Sequence, residues 1–104
     1  CTGDLNYELL KVNCPAAPGQ NGSVLVDNKG DLNIVNINLR TFDADGNNLG
    51  VTQIGEVNSF EIKTKTSEIQ AGTTKVETLA TISVSGEEVT CSDAPRSKSF
   101  APAC

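Results

Sequence analysis

The segment LNIVNINLRTFDADGNNLGVTQI, residues 32–54, decides the fold because it holds two strand patterns joined by a turn. Its apolar residues alternate up to Ile34 and continue in the opposite phase from Val35 onward. An extra residue in a strand produces such a change of phase, so we expect a β-bulge near Ile34. The dipeptide Asp45-Gly46 then predicts a hairpin with a type I′ turn, because both central residues of that turn need a positive φ.

Strand patterns also occur on both sides of this hairpin. They cover residues 5–12, 24–26, 59–66 and 74–85, and Ser85-Gly86 turns the chain into a short last strand. In 59–66 the alternation predicts that Phe60 and Ile62 are buried. In 74–85 it predicts a buried face made of Val76, Thr78, Ala80, Ile82 and Val84. About seven short strands with frequent turn signals predict an all-β antiparallel sandwich, one domain over residues 1–104.

Composition restricts both the core and the partners. Hydrophobic residues make up 38% of the 104 residues, yet only one Tyr and three Phe are present and Trp is absent. The core must therefore come from Val, Ile and Leu, which suit a pleated sheet. The formal net charge of −5 opposes binding to nucleic acid or to an anionic membrane surface. No window approaches the roughly 20 apolar residues of a membrane span, so no membrane insertion is expected.

Four cysteines, no histidine and no CxxC pair indicate two disulfides rather than a zinc or redox site. Disulfides persist in oxidising compartments, so we expect a secreted or extracellular-surface protein, periplasmic or outer-surface if bacterial. Cys1 is also the position that carries lipid in bacterial lipoproteins, so a lipid anchor is the alternative for that residue. The tail, residues 92–104, is rich in Ser, Ala and Pro, and we expect Cys104 to pin it down.

The order of features over residues 24–84 resembles the FxLYD-type immunoglobulin-like domain of bacterial secreted proteins and lipoproteins. VLVDNKGDLNIVNINLRTFDADGNNLG is similar to that family's strand, Asn-containing turn, strand and Asp-Gly hairpin, and IQAGTTK lies where the family has a Pro-Gly turn. The chain differs in having Thr41-Phe42-Asp43 in place of an aromatic Tyr-Asp, and Ala71 in place of Pro. The resemblance implies an immunoglobulin-like sandwich that acts as a binding or envelope module, and it supplies no functional residue.

Geometry disfavours one of the three ways of pairing the cysteines. A continuous strand over residues 5–12 spans roughly 25 Å, whereas a disulfide holds its Cα atoms within about 7 Å. A bond between Cys1 and Cys14 is therefore disfavoured. In an immunoglobulin-like sandwich the first and last strands often lie side by side, which would bring Cys14 to Cys91. We therefore expect the pairs Cys14–Cys91 and Cys1–Cys104.

Two segments contain candidate sites. Asn21-Gly22-Ser23 is an N-glycosylation triplet, and it lies in a loop rich in Pro and Gly, residues 14–23, that we expect to be exposed. The segment DADGNN, residues 43–48, brings together oxygen ligands of the kind that calcium prefers. It lacks the Gly and the bidentate acid at the spacing of an EF-hand loop. We interpret it as a hairpin turn, and we predict neither a metal nor a cofactor.

The charged residues do not form a catalytic set. Glu87 and Glu88 are adjacent, so a strand sends them to opposite faces and they cannot serve as a general acid and base on one substrate. With no histidine to activate a nucleophile, we predict that the protein is not an enzyme. Lys63 and Lys65 share one face of a strand, which indicates protection of a sheet edge, the alternative being a contact for an acidic partner. With Tyr7 alone and no Trp, a carbohydrate-binding module is disfavoured.

Three function hypotheses follow from these observations. The first is a non-catalytic, secreted or surface-displayed domain that binds a protein partner. The second is a structural subunit of an extracellular filament or coat, in which a segment such as LNYELLKV, residues 5–12, adds a strand to a neighbour's sheet. The third is a small inhibitor or effector that presents the loop at residues 14–23 to a target.

Overall fold

The computed structural model describes residues 5–104, which form eight strands in two antiparallel sheets. The strands are β1 (Tyr7–Asn13), β2 (Gly22–Asn28), β3 (Ile34–Phe42), β4 (Asn48–Gln53), β5 (Ile62–Ser67), β6 (Lys75–Val84), β7 (Glu87–Thr90) and β8 (Arg96–Ser99). The first sheet has the order β1-β2-β5. In the second sheet β4, β3 and β6 follow one another, and β7 and β8 lie end to end along the remaining edge of β6. The prediction of an all-β antiparallel fold is confirmed.

Both sheets contribute to one buried core of aliphatic side chains. It includes Leu9, Val24 and Val26 from the first sheet and Ile37, Leu39, Val76 and Ala80 from the second. Tyr7 supplies the one aromatic ring among the buried side chains of residues 5–104. The core is thus built from the residue types that the composition predicted. No helix in this part of the chain is long and apolar enough to cross a membrane.

Two bulges keep the apolar residues of β3 and β1 directed at the core. The register of β3 against β6 shifts between Ile34 and Asn36, which confirms the predicted bulge near Ile34. A second shift in β1 lies between Leu9 and Lys11. Because the extra residue restores the phase, Leu9 and Val12 both pair with buried valines of β2.

The hairpin between β3 and β4 forms where predicted, but its turn is of another type. Gly46 has a φ of 85°, whereas Asp45 has no positive φ. The Gly46 N–H donates to the Asp43 carbonyl at 3.1 Å, and the Asp43 N–H donates to the Asn47 carbonyl at 3.0 Å. These bonds describe a three-residue loop in which a type I turn precedes a left-handed glycine. The type I′ prediction for Asp45-Gly46 is therefore wrong.

The type I′ geometry occurs instead at the end of β6. Ser85 and Gly86 have φ values of 52° and 83°, and they connect Val84 directly to its partner Glu87. Two central residues with positive φ match the right-handed twist of the flanking strands. The turn predicted at Ser85-Gly86 is therefore present in the geometry that was expected of the earlier hairpin.

Three predicted core residues are exposed. Phe60 is 71% exposed and precedes β5. Ile62 is 61% exposed because it pairs with Asp27 on the outer face of the first sheet, whereas the core-facing positions of β5 begin at Lys63. Val84 is also exposed, because the buried part of β6 ends at Ile82 and all residues from 83 to 90 are exposed. The other four residues of the predicted buried face of β6 are buried.

The disulfide pairing differs from the prediction. Cys14 is bonded to Cys104, with Cα atoms 5.3 Å apart, so the expected pairs Cys14–Cys91 and Cys1–Cys104 are wrong. The reason is that Cys91 does not lie at the end of the first sheet. Its N–H donates to the Ala80 carbonyl in the middle of β6, and its side chain is buried.

The C-terminal tail is held at its end through Cys104. The Cys104 N–H donates to the Thr73 carbonyl, and its own carbonyl accepts a bond from the Gly72 N–H, at 2.9 and 2.8 Å. These two bonds place the disulfide beside the loop that follows β5. Cys1 lies outside the described residues, so the existence of a second disulfide stays a prediction. Because Cys14 is joined to Cys104, a second disulfide would have to join Cys1 to Cys91.

Digestion of the unreduced protein with trypsin tests the cross-links. Cleavage after Lys and Arg places the four cysteines on the separate peptides 1–11, 12–29, 76–96 and 99–104. Mass spectrometry is expected to find 12–29 joined to 99–104, and the predicted second disulfide requires 1–11 joined to 76–96. Reduction should release all four as single peptides. A link between 12–29 and 76–96 would contradict the structure.

Tyr7 joins the two sheets through polar contacts inside the apolar core. Its hydroxyl lies 3.0 Å from the Thr78 Oγ1 atom in β6. The Arg96 guanidinium stands 4.7 Å above the Tyr7 ring, and the Arg96 Nε atom donates to the Tyr7 carbonyl at 2.9 Å. A buried hydroxyl costs free energy unless it is hydrogen-bonded, so Thr78 allows a tyrosine to fill this space.

Burial raises the pKa of the Tyr7 phenol above its ordinary value of 10.0, and the hydrogen bond with Thr78 only partly opposes this. A raised pKa means that the folded state is favoured below the ordinary pKa and loses this advantage as the pH rises through the higher value. Tyr7 is the only tyrosine and Trp is absent, so tyrosinate absorbance reports this group alone. We expect its midpoint above pH 10.0 and coincident with alkaline unfolding.

The variant Tyr7→Phe is the control for this titration. It has no ionisable group at position 7, so its loss of circular dichroism should shift to higher pH than in the wild-type protein. An ordinary midpoint in a protein that remains folded would show that the Tyr7 hydroxyl is accessible to water.

Candidate functional site

Phe60 combines an exposed aromatic ring with an unfavourable backbone conformation. Its φ is 59°, and the side chain is 71% exposed. The left-handed conformation costs an L-residue roughly 1–2 kcal/mol, and an exposed ring gains little from packing to offset that cost. Ile62, the first residue of β5, is 61% exposed. Strain of this kind persists only where the surroundings impose it, and it is concentrated at functional sites.

Hydrogen bonds within the turn and from the neighbouring loop impose this conformation. The turn at residues 58–61, here called the Phe60 turn, is closed by a bond from the Glu61 N–H to the Asn58 carbonyl at 3.0 Å. The Ser59 N–H donates to the Asn33 Oδ1 atom at 2.8 Å. The Ser59 hydroxyl donates to the Gly30 carbonyl at 2.9 Å. Hydrogen bonds within the turn and to the β2–β3 loop thus hold the backbone of the Phe60 turn, whereas the Phe60 ring is exposed to solvent.

Asn28 supports the Phe60 turn from beneath. The side chain is almost fully buried at the end of β2, and its Nδ2 atom lies 2.8 Å from the Leu32 carbonyl and 3.2 Å from the carbonyls of Val57 and Asn58. Its Oδ1 atom accepts a bond from the Gly30 N–H at 3.1 Å. One buried amide therefore ties the β2–β3 loop to the segment that carries Phe60.

Acidic residues lie next to Phe60 and Ile62 in the chain and across the sheet. Glu61 lies between them, Asp27 pairs with Ile62, and Asp31 belongs to the loop that supports the Phe60 turn. Lys29 is paired with Glu8 at 2.5 Å, and this contact lowers the pKa of the Glu8 carboxyl. The Lys63 Nζ atom donates to the Glu56 carbonyl at 2.7 Å. In the described part of the chain, the charged residues beside Phe60 and Ile62 that have no basic partner of their own are therefore acidic.

This arrangement suits binding to another protein surface. The exposed pair is apolar and the hydrogen bonds beneath it hold its backbone in one conformation, so little conformational entropy would be lost when it enters a pocket of a partner. Exposed aromatic residues on rigid supports are the usual anchors of protein interfaces. A basic rim on the partner would complement the carboxylates around Phe60.

The loop at residues 14–23 is exposed over most of its length, as predicted. Asn21 is exposed, which agrees with a glycosylation site, although glycosylation itself stays a prediction. A cavity of about 510 Å³ lies between this loop and residues 68–71. Its walls are mostly small apolar side chains and include Cys104, so the disulfide shapes it. The inhibitor hypothesis for this loop stays a prediction.

DADGNN uses its carboxylate inside the turn. The Asp43 Oδ1 atom accepts bonds from the N–H groups of Asp45 and Asn47, each at 2.9 Å. The bonds from Asn47, the largest cause, lower the pKa of the Asp43 carboxyl. Among residues 5–104 no group of three or more acidic or cysteine side chains is placed to hold a metal ion. The interpretation of this segment as a hairpin turn agrees with these contacts.

The structure separates the remaining charged candidates. Glu87 and Glu88 are exposed on β7, an outermost strand of the second sheet, whereas the Phe60 turn leads into β5 of the first sheet. Lys63 and Lys65 lie on β5, an edge strand, where they pair with the buried residues Val26 and Val24 and so occupy core-facing positions. Inward charges on an edge strand prevent pairing with a further strand. This supports the interpretation of the two lysines as edge protection.

Sequence reasoning missed the Phe60 turn because it extended the alternation of β5 too far toward the N-terminus. Asn58 and Ser59, both favourable in turns, directly precede Phe60 and were the signal against a strand there. No protein-family model matches the chain, and no curated protein matches it. The resemblance to the FxLYD-type domain therefore stays a prediction.

Replacing Phe60 with glycine tests whether the ring has a role in folding. Glycine adopts a positive φ without steric cost, so we expect Phe60→Gly to leave the free energy of unfolding unchanged or raise it by up to about 1 kcal/mol. Urea denaturation measures this change. Ser85→Gly is the matched control, because Ser85 is the other non-glycine residue with positive φ among residues 5–104. A loss of more than about 1 kcal/mol in Phe60→Gly alone would show that the ring stabilises the fold.

Proposed function

We propose that the protein is a secreted or surface-displayed, non-catalytic domain that binds a protein partner through Phe60 and Ile62. The observation that carries this proposal is the strained, hydrogen-bonded backbone that presents an exposed aromatic ring. A large apolar side chain that costs free energy in the isolated protein is best explained by burial in a complex. The acidic surroundings favour a partner whose apolar pocket has Lys or Arg at its rim.

The same proposal includes the finer description of the fold. Two antiparallel sheets that share one core support a β-sandwich of the immunoglobulin-like class. The Cys14–Cys104 disulfide suggests an oxidising extracellular environment. A second disulfide would add to the stability of the domain outside the cell.

The filament hypothesis, in its form with residues 5–12 as the donated strand, is less well supported. β1 is already paired with β2 along its length, and it contributes Tyr7 and Leu9 to the core of its own chain. Donating this strand to a neighbour would expose both side chains. Binding through the Phe60 turn requires no such rearrangement.

A photoreactive side chain at position 60 tests the proposal. With benzoylphenylalanine in place of Phe60, irradiation in the extracellular medium of the producing cells is expected to yield one dominant covalent adduct. The same residue in place of Val84, which is also exposed, is the control and should yield none. Purified adduct partner should bind Phe60→Gly at least about tenfold more weakly than the wild-type protein. Equal yields at both positions, or equal affinities, would refute the proposal.

A further inference from the structure

The outermost strands of the two sheets differ sharply in charge. An edge strand exposes unpaired N–H and C=O groups, and proteins protect such edges with charged side chains. Five strands are outermost in the part of the chain that the structure describes, namely β1, β4, β5, β7 and β8. Four of them carry charges, with Glu8 and Lys11 on β1, Lys63 and Lys65 on β5, Glu87 and Glu88 on β7, and Arg96 and Lys98 on β8.

β4 is the exception among these five strands. Its sequence NLGVTQ contains no charged residue and no proline. It also carries Val51, whose side chain is 63% exposed. A neutral edge with an exposed aliphatic side chain is the kind of edge that pairs with another strand.

The hydrogen bonds between β3 and β4 show which backbone groups of β4 face outward. The Ile54 N–H donates to the Ile37 carbonyl at 2.8 Å, and the register pairs Leu39 with Thr52. Bonding toward the neighbour alternates along an antiparallel strand. Thr52 therefore bonds toward β3, whereas the N–H and C=O groups of Val51 and Gln53 point to the free edge.

We propose that β4 pairs antiparallel with β4 of a second copy of this chain, forming a two-fold dimer with Thr52 at the axis. Val51 would then exchange two backbone hydrogen bonds with Gln53 of the partner subunit, and the symmetry would repeat them. The two copies of Thr52 would face each other as a cross-strand pair, which is a favourable combination. The two second sheets would join into one continuous sheet.

Charge is the reason to assign this edge to a second copy. In a two-fold contact each residue near the axis meets its own equivalent, so a charged edge would place like charges together. Two chains of net charge −5 also repel each other overall. A neutral edge lets a second copy approach without like charges meeting at the axis, and β4 is the neutral edge of the described structure.

The dimer is closed, because each chain uses its single β4 edge. It would also carry two Phe60 turns, and two linked sites bind a multivalent partner more tightly than one site does. The pairing itself does not depend on the proposed partner binding, so the two proposals can fail separately.

Sedimentation equilibrium of the purified full chain tests the dimer. We expect the wild-type mass to rise with concentration to twice 10.9 kDa and no further. Thr52→Lys places like charges at the axis and should weaken the dimer at least about tenfold. Gln53→Pro removes an N–H that faces the free edge and is not needed in the β3 ladder, so it should weaken the dimer while the monomer stays folded.

Thr66→Lys is the matched control, because Thr66 is an exposed threonine on the charged edge strand β5. It should leave the dimer unchanged. A wild-type monomer at all concentrations, or a dimer unaffected by both β4 variants, would overturn the proposal. Fibres would overturn the closed dimer in favour of open assembly.

A cysteine at the axis gives an independent measurement. Facing residues of a non-hydrogen-bonded antiparallel pair have Cα atoms about 4.5 Å apart, which lies within disulfide range. Thr52→Cys should therefore form a cross-linked dimer under mild oxidation, seen on a non-reducing gel, whereas Thr66→Cys should not. Equal cross-linking of both variants would indicate random collision and count against the two-fold pairing.

Discussion

Burial of aliphatic side chains from both sheets in one core is the interaction on which the rest of this structure depends. The described core has one aromatic ring, that of Tyr7, so its volume must be filled by many branched side chains in strict alternation. A register error of one residue would turn a whole set of these side chains into solvent. The core therefore depends on the bulges in β1 and β3, because they keep Leu9, Val12 and Ile37 on the buried face.

The polar groups within this core are placed where the sheets or their loops must be joined. Tyr7 reaches from the first sheet to Thr78 of the second and is covered by Arg96. Asn28 uses its amide to join the β2–β3 loop to the segment before β5. The Cys14–Cys104 disulfide ties the last residue to the end of β1. Each of these contacts joins two segments that are far apart in the chain.

The surface follows a second rule, which concerns exposure rather than burial. Charged side chains protect four of the five outermost strands, and two features depart from that protection. Phe60 exposes an aromatic ring on a backbone that the Ser59 and Asn28 hydrogen bonds hold in place. β4 exposes a neutral edge with Val51. Both features cost the isolated chain free energy or solubility, and both are accounted for by the two contacts proposed above.

The sequence by itself determined the local structure of this protein. Alternation and turn residues predicted the all-β class, the hairpin at Asp45-Gly46, the bulge near Ile34 and the buried face of β6, because these depend on neighbours in the chain. Only the tertiary structure decided which cysteine met Cys104, which face of β5 was buried and which edges stayed unpaired. Those outcomes depend on residues far apart in the chain, such as Asp27 opposite Ile62, and on the order in which strands pair. The Phe60 turn belongs to this second group, since its conformation is imposed by Asn28 at the end of β2 and by Gly30 of the following loop.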